Sequence, residues 1–233
     1  MTYVLSKPLT EPPNFLSTIS MVVDDHQLIV QDLIQAERKS PSVYEPARAL
    51  FRRVLQSDLS FDQALDQAQK LLDRVEKKCA IEILRASKEF LTKEAKGPVG
   101  DFPKMSTVIT GDLTLNITQI LIRHLKPDRL MVLHFWRDPL SPRQLSAAAA
   151  ILKGTIKKTK PEFSSCELDF ISVSAPNNKS SRLLKRYNWQ TLKPLEEPEL
   201  VKFWKPFYTA WQQYQRLPPR RVMKRKERSL FDL

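Results

Sequence analysis

Residues 129–136 read Arg-Leu-Met-Val-Leu-His-Phe-Trp, an apolar run with almost no alternation. A strand with one wet face alternates apolar and polar side chains, so an unbroken run belongs in a sheet covered on both faces, the usual setting of parallel strands. The run is too short to span a bilayer, which takes roughly 20 residues. Ser141-Pro142 follows, with the hydroxyl and the ring in the positions that open helices, and Leu145, Ala148, Ala149, Leu152 and Ile156 then form an apolar stripe. Next, 166–174 (CELDFISVS) reads as another strand.

Around this strand–helix–strand unit, STVIT (106–110) reads as a short strand. Asn116 to Leu125 reads as a helix with Ile117, Ile120 and Leu121 inward, and Ser180 to Tyr187 as a further helix. WQTLKPL (189–195) reads as a fourth short strand and Glu199 to Gln215 as a last helix, with Pro206 kinking it or lying near its first turn. The expectation over 98–215 is an α/β domain, a mostly parallel sheet of three to four strands with flanking helices and right-handed crossovers.

The first 97 residues read as a helical module behind an extended or loosely tethered start, residues 1 to about 20, that carries Pro8, Pro12 and Pro13. A helix follows Asp24-Asp25, with Leu28, Leu33 and Ile34 on its apolar face. Ala47, Leu50, Phe51, Val54 and Leu55 repeat at helical spacing. Ser60 with Gln63 has the form of a capping box, and Gly97-Pro98 is a stop. Between them Ala64, Leu65, Ala68, Leu72, Val75, Cys79, Ile83, Ala86 and Phe90 trace one face, predicting one long helix or two nearly collinear ones.

Glycine supplies the strongest exclusion. Only Gly97, Gly100, Gly111 and Gly154 exist, none in a phosphate-cradling pattern, which argues against a Walker-type NTPase or a dinucleotide fingerprint enzyme. No cofactor is expected. Two cysteines, Cys79 and Cys166, give neither a disulfide framework nor a cysteine-rich zinc site, and fit a reducing compartment such as the cytoplasm. The start MTYVLSKPLTEPPNF lacks the apolar stretch of a signal peptide, so a soluble protein without membrane partners is predicted. A formal charge of +12 directs attention to polyanions, DNA ahead of RNA.

Ligands of open α/β sheets bind beyond the carboxyl ends of the strands. There Asp112 and Asp138 offer oxygen ligands for a divalent cation, and Arg137 and Lys179 a phosphate clamp. The plainer reading is that Asp138-Pro139 and Asn177-Asn178 make turns and Arg137 is solvated. PDRLMVLHFW and CELDF resemble the proline-aspartate and acidic strand elements of metal-dependent restriction-type nucleases. Those enzymes also carry an acidic residue two positions before a lysine, whereas Glu167 is followed two later by Asp169. His26, His124 and His134 have no metal-ligand spacing, Cys166 has no activating partner, and Ser174 is not in a nucleophile elbow. Phe203, Trp204, Phe207, Tyr208, Trp211 and Tyr214 offer rings for base stacking, but their helical spacing favours the core.

Basic residues recur on the α/β part at Lys153, Lys157, Lys158, Lys160, Lys179, Arg182, Lys185 and Arg186. They culminate in the tail over 216–233. There Arg216, Arg220, Arg221, Lys224, Arg225, Lys226 and Arg228 face only Glu227 and Asp232, behind Pro218-Pro219. Engaging six phosphates gives a log–log salt slope of about −5. The end, ERSLFDL, resembles the short peptides that bind sliding clamps of DNA replication, with Leu230 and Phe231 as the apolar pair behind Ser229. The upstream glutamine of such peptides is replaced here by Glu227 or Arg228. The resemblance implies docking to a clamp or another replication or repair protein. The sequence therefore predicts a nucleic-acid-associated accessory protein of DNA metabolism (replication, repair or mobile-element maintenance). The alternatives are a divalent-metal phosphoesterase or nuclease, and a structural subunit of a larger assembly.

Overall fold

The computed structural model of the chain describes residues 3–6, 8–37, 43–94, 98–111, 113–125, 128–177, 180–188 and 191–223; for 3–6 and 220–223 it describes the backbone alone. The elements run β1 (Tyr3–Ser6), α1 (Phe15–Met21), α2 (His26–Ala36), α3 (Glu45–Leu55), α4 (Phe61–Gln69), α5 (Arg74–Ala86) and α6 (Lys88–Lys93). There follow β2 (Val99–Asp101), β3 (Met105–Thr110), β4 (Leu113–Ile117), β5 (Ile120–Arg123), β6 (Arg129–His134) and α7 (Pro142–Thr159). After a short 3-10 turn come β7 (Glu167–Ser174), β8 (Leu183–Asn188), α8 (Glu197–Gln215) and β9 (Arg220–Met223).

The central sheet has five strands in the order β2-β5-β6-β7-β8. Only β6 and β7 are parallel, with Arg129 opposite Glu167 and His134 opposite Ser172, and α7 is their crossover. The other three pairings are antiparallel, so the sheet is mixed and mostly antiparallel, not mostly parallel as its sequence suggests. Two misread segments account for the difference. Residues 116–125 contain the end of β4, a turn and β5, not a helix. Ile117, Ile120 and Leu121 fit helical spacing, but Gln119 takes a positive φ of 66° where the chain leaves β4, paired with β3, for β5 of the central sheet. Antiparallel neighbours need no crossover, and β5 reaches its neighbour β6 through 124–128 alone. Residues 180–187 were the other expected helix, and most of them lie in β8, an edge strand with Leu183 exposed. Residues 191–195 are irregular and add no strand.

Helices cover both faces. On one, α1, α2, α7, α8 and the β3–β4 hairpin bury Phe15, Ile19, Leu33 and Phe207 against Ile122, Val132 and Phe170 of the sheet. On the other, α3 to α6 bury Phe51, Val54, Ile83 and Leu84 against Leu121, Met131, Leu133, Ile171 and Val173. This double cover is why β6 shows no alternation. Each such side chain contributes roughly 1.5–3 kcal/mol on leaving water.

The helix starts are set by local chemistry. Ser60 and Gln63 make the expected reciprocal cap, as do Ser141 and Gln144. Gln144 also donates to the Ser20 and Val22 carbonyls (3.1 and 3.2 Å), fixing α7 to the end of α1. The one long helix, or two nearly collinear ones, expected between Ser60 and Gly97 is instead three, and α1 stands within the residues 1 to about 20 that read as extended. Asp73 accepts from the Val75 and Glu76 amides and starts α5 afresh, leaving Leu72 97% exposed and Val75 56% exposed, off the inward face. Among the described residues no helix is long and apolar enough to cross a membrane.

The two chain ends meet. β1 and β9 pair antiparallel, Tyr3 opposite Met223 and Ser6 opposite Arg220. The segment read as a separate arm from 216 onward is therefore held through 223 by backbone pairing. Gln215 Nε2 donates to the Leu9 carbonyl at 2.7 Å beside this ribbon.

Candidate functional site

The carboxyl ends of the parallel strands are closed from within. Arg182 is only 6% exposed, and its Nη1 donates to the carbonyls of Phe135 and Val173, both at 2.8 Å, joining the ends of β6 and β7. Its Nε lies 3.2 Å from Glu82 of α5, and its guanidinium sits over the Tyr44 ring at 5.6 Å. Glu82 also pairs with Arg137 at 3.5 Å, whose Nη2 donates to the Ser180 carbonyl at 2.9 Å. Arg182, expected on a phosphate-binding surface, is thus an internal brace. Arg137 is likewise committed to the fold. Asp138 is exposed, while its expected cation partner Asp112 and the phosphate candidate Lys179 lie outside the described residues.

Beneath this edge a polar chain is buried. His134 Nδ1 lies 3.0 Å from Ser172 Oγ, which donates to Ser174 Oγ at 3.2 Å. The ring's other nitrogen, Nε2, is buried without a partner. Burial first, and the Arg182 charge second, push the His134 pKa down to about 4. A neutral, enclosed imidazole beside two enclosed hydroxyls is a structural hydrogen-bond chain, not an accessible nucleophile and base. The thiols are not activated either: burial leads in pushing both Cys79 and Cys166 up.

At the opposite end of the sheet lies a network of alternating charges. Asp169, 1% exposed, is held by Arg186 at 2.8 Å and Arg129 at 3.4 Å, and Arg129 also pairs with Glu167. Glu94 bridges Arg186 and the fully buried Arg123, both at 2.8 Å. Burial pulls the Arg186 guanidinium down, but the hydrogen bond and charge of Asp169, then Glu94 and Glu167, outweigh it and the net shift is upward. The acidic strand elements that resemble restriction-type nucleases are therefore clamped by guanidinium groups. Among the described residues no three His, Cys, Asp or Glu side chains stand together in a metal-binding group.

The surplus charge lies elsewhere. Residues 1–97 carry 14 basic and 14 acidic side chains, so the whole +12 belongs to 98–233. With Arg123, Arg129, Arg137, Arg182 and Arg186 all facing carboxylates, lysines carry the uncompensated part of the sheet domain. On α7 there is no acidic residue, and Lys157 and Lys158 are exposed with no ion pair among the described residues. Lys185 is exposed on β8. Arg220 and Arg221 are described as backbone only, and Lys224, Arg225, Lys226, Arg228, Leu230 and Phe231 lie outside the described residues. The aromatic run of α8 is core: Phe203, Trp204, Phe207, Trp211 and Tyr214 are buried, with Trp211 stacked on Phe207 at 6.4 Å between ring centres.

Sequence reasoning did not single out Glu82, Glu94 or Arg123. Nothing local marks them, because their partners lie up to 100 positions away in the chain. No family model matches the chain, and no curated protein or solved structure matches it either.

Proposed function

We propose that this chain is a nucleic-acid-binding accessory protein of DNA metabolism. It meets phosphates through the lysines of α7 and the basic run that follows β9, and docks a protein partner, a sliding clamp or another replication or repair protein, through Leu230 and Phe231. The observation that supports this most is the placement of charge: the sheet arginines face carboxylates, among them Glu82 and Glu94 of the first 97 residues, Lys157 and Lys158 are exposed with no ion pair among the described residues, and 216–233 carry seven basic against two acidic residues. Exposed, unpaired cations release counterions from a polyanion on binding, whereas a guanidinium already on a carboxylate does not. The metal-dependent alternative has less to stand on, since Asp169 is neutralised by two arginines and Asp138 is exposed on its loop.

The test is affinity for a short DNA duplex and a single strand across a salt series. It compares the full chain, a chain ending at Met223 so that β9 is kept, and the Lys157→Ala/Lys158→Ala double variant. Removing Lys224, Arg225, Lys226 and Arg228 should flatten the log–log salt slope by about 3 to 4, and the double variant by just under 2, at roughly 0.9 per phosphate contact. Equal affinity and slope in all three chains overturns the reading. Deleting 229–233 alone should leave DNA affinity intact and abolish retention on an immobilised clamp.

A further inference from the structure

We infer that the cleft between β3, α7 and α8 receives a single nucleotide whose base carries an amino group, an inference that rests on the nucleic-acid reading above. The cleft measures about 340 Å³, inside the roughly 300–1,000 Å³ typical of small-ligand sites. Its walls include Val108 of β3 and Val201 of α8, 64% and 66% exposed, two of the large apolar side chains the fold leaves in water. Aliphatic walls of this kind suit the two faces of a flat base.

Two further lining side chains, Thr155 and Trp204, are each 3% exposed, yet the Thr155 hydroxyl and the Trp204 indole N–H have no hydrogen-bond partner. Both atoms lie below the cleft surface, out of reach of an occupant, so the exposed lining side chains alone define what the cleft can hold.

The rim selects the kind of occupant. Lys158 stands on the α7 side and Glu197 on the α8 side, opposite charges on opposing elements. A bare phosphate suits Lys158 but is repelled by Glu197, and a purely apolar molecule leaves both charges unmatched. A nucleotide satisfies both: its phosphate meets Lys158, with exposed Lys157 adjacent, and a base amino group donates to the Glu197 carboxylate. Cytosine, adenine and guanine offer that donor at an exocyclic nitrogen, and thymine does not. Gly154 lines the cleft, and a Cβ placed there meets nothing within 4 Å.

That last fact makes the test clean, because Gly154→Phe fills the cleft from a helical position without a clash at Cβ. Fluorescence anisotropy with labelled dC12 and dT12 is read for the full chain and for Gly154→Phe, Gly154→Ala and Glu197→Gln, and calorimetry measures free dCMP. Melting temperatures for each variant, expected at or above that of the parent for the two Gly154 changes, certify the fold. The parent should prefer dC12 to dT12 by about tenfold, the size of one good base contact. Gly154→Phe and Glu197→Gln should erase the preference, and Gly154→Ala should keep it. If the parent binds both strands and Gly154→Phe binds them equally well with the same preference, the cleft inference falls and the nucleic-acid reading stands. If dCMP binds, is lost in Gly154→Phe, and no strand binds, the pocket holds and takes free nucleotide. If the parent binds neither strand nor dCMP, both fall.

Discussion

His134 and Asp169 show how buried polar residues tie this fold to pH and charge. His134 is held near pKa 4 by burial and by Arg182, against about 6.5 in an unfolded chain. Between those values the unfolded chain carries a proton that the folded chain refuses. Stability is therefore complete above about pH 6.5 and declines as pH falls toward 4, by about 3 kcal/mol at the lower limit. In His134→Gln, which keeps a donor for Ser172, the urea midpoint should fall less between pH 7 and pH 4.5 than in the parent. Equal declines would clear His134 of the effect. Asp169→Asn leaves the Arg129 and Arg186 guanidiniums facing an amide. Removing one member of a buried ion pair costs about 3–5 kcal/mol, and because Arg186 is partly solvated the lower end is expected, read as a drop in denaturation midpoint at pH 7. Neither role is visible in the residue letters. His134 looks like one more member of an apolar strand, and Asp169 resembles a nuclease carboxylate until its two arginines are seen beside it.

Single elements were legible where the rule that makes them is local. The caps at Ser60 and Ser141, the apolar faces of α3 and α7 and the buried character of β6 all follow from neighbours within four residues. The end of α3 offers a test of the same kind. The Asp58 amide bonds the Arg53 carbonyl at 2.9 Å and the Ser57 amide the Val54 carbonyl at 3.1 Å, which is a Schellman ending with Ser57 at the left-handed position, φ 68°. Glycine adopts that conformation without the Cβ strain of about 1 kcal/mol. Ser57→Gly should raise the midpoint of thermal or urea unfolding by a corresponding amount, and a lower midpoint would refute the account. Elements were misread where two local patterns coincide. Ile117, Ile120 and Leu121 satisfy a helix stripe, yet a strand buried on both faces also presents consecutive apolar residues, and Gln119 gives no glycine or asparagine to announce the turn. In β8, Leu184 and Arg186 turn toward one face and Leu183 and Lys185 toward the other, an edge-strand pattern that six residues cannot separate from an amphipathic helix.

At the scale of the molecule, the pairing of β1 with β9 sets where the tail can be cut. A chain ending at Met223 should melt where the parent does, and one ending at Pro219 should melt lower, because β1 then loses its only strand partner among the described residues. Equal melting of the two truncations would show that the ribbon contributes nothing to stability. The same scale decides which of the 38 basic residues can serve a polyanion. Composition alone determined that the chain is strongly basic and poor in glycine, and local patterning that it alternates helices with buried strands around a parallel β6–α7–β7 unit. Strand direction elsewhere in the sheet, the internal use of Arg182, and the cleft beneath Gly154 were decided only by tertiary structure. Hydrophobic period and capping act between residues a turn apart. Strand pairing and charge neutralisation, by contrast, join residues such as Glu82 and Arg182 that only the folded chain brings within 3.2 Å.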